Sequence, residues 1–405
     1  MSDSVLDLVR PREPARSLER LRIGFIPLVD CAPLVVARDL GFAEAEGLAL
    51  DLVRETSWAN IRDRIVLGHF DAAHLLAPMP VAVRLGIGHL EAPIVVPWVL
   101  NHGGNSIAVS AALCAAIGER GGIEDPAAVG AALRRVVRAR AERGEPPLTL
   151  ASVHPFSCHE HQLRYWLAAS GVDPDVDVRL GVVPPPYMVD AMTAGMVDGA
   201  CVGAPWPSLS VEAGVGRILL STGALWPATP EKVLGVREQF AERRPEALAA
   251  LLRALDRAGA WIEDPANRPA LAALLARPEV VGVAEAVVMR SLSGEIVPAP
   301  GAEPVRLADF LRFHGMGPNG PINRPRLADG LWFSAQMLRW GQFADRARAF
   351  AAARAAFAPT VHDAVFGPPA TAPSDEVHPF DGAVFSAAAP EDWLDRHPRP
   401  AAPGV

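Results

Sequence analysis

Short apolar runs alternate with helical patterns along most of this chain, and that rhythm limits it to very few folds. The run Leu21-Arg22-Ile23-Gly24-Phe25-Ile26 is followed by Pro27 and a helical pattern from Pro33 to Phe42. Strand-like Leu48–Val53, a helix over Trp58–Leu67, strand Ala72–Leu76 and the apolar Pro93–Leu100 run come next, ahead of Asn101-His102-Gly103-Gly104. A second series places a helix near Pro126–Arg143, a strand at Leu148–Val153, a helix at His159–Ser170 and strands at Asp177–Val183 and Gly199–Val202. Successive strands joined through helices bury their apolar faces by lying parallel, with the helices packed on the sheet, so the expected class is α/β with mostly parallel sheets. From Arg244-Pro245 a further helix carries Leu248, Leu251, Leu252, Leu255 and Ile262 at helical spacing, a core-packing stripe closed by Asp264-Pro265. Beyond Pro359 the chain is rich in Pro and Ala, which predicts a loosely ordered tail in which Trp393 is either an anchor or a weak turn.

The chain has 405 residues, enough for two or three domains. Two α/β units with glycine-rich joints predict two lobes facing a cleft. The expected division is an N-terminal extension over 1–20, a first lobe from 21–110 and 230–358, a second lobe over 111–229, and a tail over 359–405. A net charge of −8, with no basic cluster interleaved with aromatics, argues against a nucleic-acid surface. No apolar run approaches the ~20 residues of a membrane helix. The first 20 residues alternate acids, arginines and prolines without an export signal, so a cytoplasmic location is expected. Cys31, Cys114, Cys158 and Cys201 lie far apart without a CxxC pair, which points to free thiols and to neither a zinc site nor a metal of other kinds.

One residue stands out by scarcity: of 38 basic side chains only Lys232 is a lysine. A compact ammonium suits a small rounded anion, where the planar guanidinium fork suits bidentate partners. In open α/β sheets ligands gather at the carboxyl ends of strands, and other donors fall at such ends. Trp58 opens a helix after Glu55-Thr56-Ser57 and its indole N–H can only donate, although a core tryptophan fits the pattern equally well. His159 lies at a helix start, where free backbone N–H groups favour an anion; a capping role competes. Asn105 follows two glycines that permit close approach or simply a turn, and Gly203 ends a strand where a ligand could touch the backbone. The arginines between Leu133 and Arg140 read as a solvated helix face, and Cys158 beside His159 as a buried thiol.

These stretches resemble the nitrate- and bicarbonate-binding proteins of ABC importers, from roughly Leu21 to Phe357. The resemblance rests on Leu21–Leu28, Ser57–Asp63, Asp71–Pro80, Leu163–Ala169, Cys201–Trp206 and Met337–Gln342. It implies a two-lobed type II periplasmic-binding-protein-like fold. It also implies anion contacts at Trp58, His159, Gly203 and Lys232, with Asn105 at the family's glutamine position and one methylene shorter. Bicarbonate binders of this family tend to carry an acid, with calcium, where Lys232 stands, so the resemblance favours nitrate or nitrite, which accept hydrogen bonds only. No cofactor and no enzymatic activity are expected.

Joined to the expected cytoplasmic location, the resemblance is to the NasS-type nitrate/nitrite sensor. That implies a partner, an ANTAR-domain RNA-binding antiterminator regulator of the NasT type, with no direct nucleic-acid or membrane contact. Two rivals stay open: a substrate-binding protein of a nitrate or bicarbonate transporter, and an enzyme on the same fold using His159 with Cys158 or His161.

Overall fold

The computed structural model describes residues 18–88 and 90–399, so most of the extension expected over 1–20 and residues 400–405 lie outside the described residues. Ten strands of five or more residues follow in chain order: β1 (Glu19–Phe25), β2 (Leu48–Arg54), β3 (Ala72–Leu76), β4 (Ile94–Gly103), β5 (Asn105–Ser110), β6 (Leu148–Ser152), β7 (Val178–Val182), β8 (Gly199–Gly203), β9 (Gly216–Ser221) and β10 (Pro230–Arg237). Around them lie helices α1 (Ala32–Asp39), α2 (Trp58–Val66), α3 (Pro126–Glu142), α4 (Cys158–Ala169), α5 (Pro245–Glu263), α6 (Leu327–Arg339) and α7 (Pro390–Arg396).

The strands form two sheets. One has the order Leu311–Arg312, β4, β10, β3, β1, β2, and the other the order β7, β6, β8, β5, β9. Strands joined by helices do run parallel, β1 with β2 and β3, and β6 with β7 and β8. The expectation of mostly parallel sheets needs correction elsewhere: β10 is antiparallel to β3 and β4, and β5 to β8 and β9. The reason lies in how the chain changes sheets. β4 passes into β5 through Gly104 alone, with Gly103 and Gly104 at φ 68° and 89°, a left-handed turn that side-chain-bearing residues resist. β9 passes into β10 through residues 222–229. With no crossover helix at either joint, each arriving strand turns back against its new neighbour. Residues 19–103 and 230–237 therefore serve one sheet and residues 105–221 the other.

Burial follows the sequence pattern. β3 and β8 lie in sheet interiors and every residue of each is buried, whereas the edge strand β2 buries one face. The expected stripe on α5 is core: Leu248, Leu251, Leu252, Leu255 and Ile262 are all buried.

The tail over 359–405 is not loosely ordered within its described part. It contains helices Thr360–Phe366 and α7 and a short strand pair, Glu376–Val377 with Phe385–Ser386. Trp393 on α7 is fully buried, with its ring 4.9 Å from Trp332 of α6 and 6.5 Å from Tyr165 of α4. Its indole N–H donates to the Ala383 carbonyl at 3.0 Å, and the Tyr165 hydroxyl donates to Asp381 at 2.8 Å. A few large aromatics with satisfied polar ends hold down a segment whose composition alone reads as disorder.

Candidate functional site

Two helix starts face the junction between the sheets, one from each. Ser57 caps α2, its hydroxyl accepting from the Asn60 N–H at 3.2 Å, and Ser157 caps α4, accepting from the Glu160 N–H at 3.0 Å. Each cap satisfies one N–H of the first turn and fixes the residue that follows: Trp58 first in α2, His159 second in α4. Both residues are buried, at 1% and 0% exposure. The Trp58 indole N–H and both His159 ring nitrogens have no hydrogen-bond partner among the described residues. Unpaired buried donors are costly in a finished core, so each marks a place where an acceptor would be accommodated.

Lys232 lies in β10, paired with Leu76 of β3 on one side and Asn101 of β4 on the other. The register slips on either side of it, between Pro230 and Lys232 and between Lys232 and Val233. Such an irregularity re-aims side chains, and here the neighbouring Glu231 and Lys232 are both buried in the interior, at 1% and 0% exposure. The Lys232 ammonium sits 3.0 Å from Asp30 Oδ2, without hydrogen-bond alignment. Asp30 Oδ1 in turn lies 3.1 Å from His74 Nε2, and the His74 ring meets Trp58 edge-on at 5.2 Å. Trp58, His74, Asp30 and Lys232 thus form one buried chain of contacts.

The charges in this chain hold one another in place. Burial alone would raise the Asp30 carboxyl, but the Lys232 charge and the hydrogen bond to His74 bring it down to about 2. Burial likewise opposes the Lys232 charge, and Asp30 and Glu231 more than offset this, so its pKa is raised. Burial lowers His74 and takes His159 well below the usual histidine range, with Lys232 adding to the push on His159. Both histidines are neutral near pH 7, and each presents one N–H.

Gly203 ends β8 opposite Asn105, the first residue of β5. A Cβ there would lie 3.2 Å from Asn105 Oδ1, 3.3 Å from Leu28 and 3.7 Å from Asp30 Oδ2, so only glycine lets these groups approach the strand end without displacement. The structure therefore brings Gly203, Asn105, Asp30 and Lys232 together, with Trp58 reaching them through His74. His159 is near enough to feel the charges of Lys232 and Asp30.

Two expectations change. The set is not almost wholly donors, because Asp30 and Glu231 are inside it. Nor does Asn105 offer its amide N–H₂ to the site: that group donates to Glu231 at 2.5 Å, while its unpartnered Oδ1 faces Gly203. Gln162 of α4 donates to the other Glu231 oxygen at 2.9 Å. Burial, the largest influence, raises the Glu231 carboxyl to about 7 against the opposing pull of Lys232, Gln162 and Asn105. Asp30, His74, Gln162 and Glu231 escaped the sequence reading. Their signal was a polar residue within an apolar run, as in Leu28-Val29-Asp30-Cys31 and Ala72-Ala73-His74-Leu75-Leu76.

The nucleophile and base considered from sequence are not arranged for catalysis. The Cys158 thiol lies 3.4 Å from the Pro230 carbonyl, and burial together with Glu231 pushes its pKa well up. His161 shares a 2.9 Å hydrogen bond with Gln342.

The model of the NMT1-like family matches residues 15–276. The nitrate/nitrite binding protein NrtA of Synechococcus elongatus is 34% identical over 335 residues, covering 81% of this chain and 73% of that protein. The nitrate import ATP-binding protein NrtC of Synechocystis is 37% identical over 323 residues, 79% of this chain, but the chain spans only 46% of its length. Among solved structures, the periplasmic nitrate-binding protein NrtA of Synechocystis superposes with a TM-score of 0.83 at 27% identity, over 94% of this chain and 98% of that one. The two sheets with a cleft between them are thus the periplasmic-binding-protein fold. By the matched family model and by identity along most of both sequences, the chain belongs to the NMT1-like family, where it is similar to nitrate-binding proteins and, at 29% identity over 330 residues, to the bicarbonate-binding protein CmpA of Synechococcus.

Proposed function

We propose that this chain binds a small oxyanion, nitrate or nitrite, between its lobes as the substrate-binding component of an importer. The observation that carries the reading is a set of buried donors, Trp58 Nε1 and His159 without any partner and Lys232 Nζ with only Asp30 beside it, at two helix starts and a central strand. A planar monoanion that only accepts hydrogen bonds satisfies them, and the two helix dipoles favour its charge. The ammonium of Lys232 is already paired with Asp30, so the incoming anion shares it and does not replace Asp30.

Each lobe contributes to the cluster, so the anion stabilises the closed form by touching both. The relatives named for transport support the importer reading over the sensor expected from sequence.

The test is calorimetric titration of the anion-stripped protein with nitrate, nitrite and bicarbonate, alongside Lys232→Glu. A charge-assisted hydrogen bond of about 1.5–3 kcal/mol corresponds to a loss of about one to two decades in affinity. The variant should lose nitrate binding by at least that much, and because it adds a buried carboxylate beside Asp30 and Glu231, Lys232→Gln is titrated with it and far-ultraviolet circular dichroism checks that each is folded. Unchanged nitrate affinity in Lys232→Glu would overturn the site.

A further inference from the structure

The Asn105 amide presents the wrong end to an acceptor-only anion. With Glu231 ionised, both carboxylate oxygens need donors, and Asn105 Nδ2 and Gln162 Nε2 supply them at 2.5 and 2.9 Å. The consequence is that two bare carbonyl oxygens, Asn105 Oδ1 and Gln162 Oε1, are left buried without partners. Asn105 Oδ1 points towards Gly203 and Asp30, the region where the anion reading places the ligand. A carbonyl dipole and a carboxylate aimed at nitrate are both repulsive.

We propose that Glu231 takes up one proton when nitrate binds, and that this proton turns the Asn105 amide over so that its N–H₂ faces the anion. The step balances simply: a buffer acid gives its proton to a Glu231 oxygen, and that O–H then donates to Asn105 Oδ1. The other Glu231 oxygen keeps its hydrogen bond from Gln162. Charge argues in the same direction. Lys232 and Asp30 cancel, so with Glu231 ionised the cluster is already net negative before an anion is added, whereas protonation leaves only the anion's own charge to be held.

Glu231 borders a cavity that Asp30, Trp58, Asn105, His159, Gly203 and Lys232 do not line. It lines this cavity, of about 390 Å³ between the sheet-crossing segments, together with His102, Trp226, Thr229 and the exposed Glu124 and Asp309 at its mouth. The charged and titratable groups around Glu231 include His159 and Glu160 of α4, of which burial takes His159 well below the usual histidine range. Lys232 adjoins it on β10, Asp30 precedes α1, and the thiols of Cys158 and Cys201 stay neutral because burial raises them. From the cavity side it meets His102, which burial holds low, and Arg312, which is held by Asp309 at 3.3 Å. None of these is as well placed to exchange a proton near neutral pH, and the Glu231 carboxyl, raised by burial to about 7, is. Glu231 is thus a positioning residue: it acts on the anion through Asn105.

This proposal rests on the anion reading, and the test separates the two. Nitrate is titrated into the full chain at pH 6, 7 and 8, each in two buffers of different ionisation enthalpy, and into Glu231→Gln. Proton uptake should approach one per nitrate at pH 8 and fall towards zero at pH 6. Affinity should be about tenfold weaker at pH 8 than at pH 6, following a group that titrates near 7. Glu231→Gln copies the protonated state, since its amide N–H can donate to Asn105 and its oxygen can accept from Gln162. Its nitrate affinity should not change with pH and should exceed that of the parent at pH 8. Nitrate binding with no proton uptake and no pH dependence in the parent chain would overturn the proposal and leave the anion reading standing. Persistence of the parent's pH dependence in Glu231→Gln would move the proton to His159 and overturn it likewise. Absence of nitrate heat at every pH would overturn the anion reading and the proposal with it.

Discussion

At the scale of residues, Asp30, His74, Glu231 and Lys232 are polar side chains buried at a cost. A buried pair is expensive to break, because removing one partner strands the other charge, and Asp30 and Lys232 are such a pair. Scarcity pointed to Lys232, but a sequence cannot show that its charge is already matched 202 positions earlier; that match exists only because β10 runs beside β3, under the turn that carries Asp30. Trp58, His159 and Gly203 were legible because each sits next to a readable signal, a serine cap or a strand end. Asn105 was legible in position but not in orientation, since the end it presents depends on Glu231. The two carboxylates also pull stability in opposite directions. Asp30, held below its ordinary value, contributes stability that is present above about pH 4 and lost as pH falls through about 2. Glu231, raised from 4.5 to about 7, makes the fold less stable as pH rises through that window, by roughly 3 kcal/mol when fully ionised. Glu231→Gln should therefore gain melting temperature over the parent as pH goes from 5 to 8 in the absence of anion, measured by thermal denaturation. A gap that does not widen with pH would contradict the raised carboxyl.

Among elements, helices and the parallel strands between them were readable because their periodicity and caps are local. α2, β3 and α3 begin where the sequence places them, and α4 begins one residue earlier. What was not readable is the pair of strands that arrive by crossing between sheets, β5 and β10. Their partners are distant and their direction is set by the joint at Gly103-Gly104 and by residues 222–229, not by any pattern inside them. The same blindness to distance hid the order of the tail. α7 has little to recommend it locally, but Trp393 fills a pocket among Trp332, Tyr165 and Phe385. Trp393→Ala should cost about 3–5 kcal/mol, as other large aromatic truncations in cores do. Urea unfolding that shows a loss below 1 kcal/mol would mean that the tail is not part of the cooperative fold.

For the whole molecule, Trp58, His74, Asn105, His159 and Lys232 are at most 1% exposed, so the proposed anion site requires the lobes to part for a ligand to enter. The segments 103–105 and 222–229 are where the chain passes between the two sheets, so closure of the lobes as proposed would bend the backbone there. To move the lobes from about 1:99 to 99:1 closed, the anion must prefer the closed form by about 5.5 kcal/mol, within reach of several buried donors acting together. Nitrate should accordingly reduce the radius of gyration in small-angle scattering, and Lys232→Glu should abolish the change. The most direct test of the central claim is a crystal structure of the nitrate complex. The account predicts a planar anion within hydrogen-bond distance of Trp58 Nε1, Lys232 Nζ and His159, with the Asn105 amide nitrogen turned towards it. Nitrate seated elsewhere, such as in the cavity beside Trp226 and Thr229, with these donors still unpaired, would contradict it.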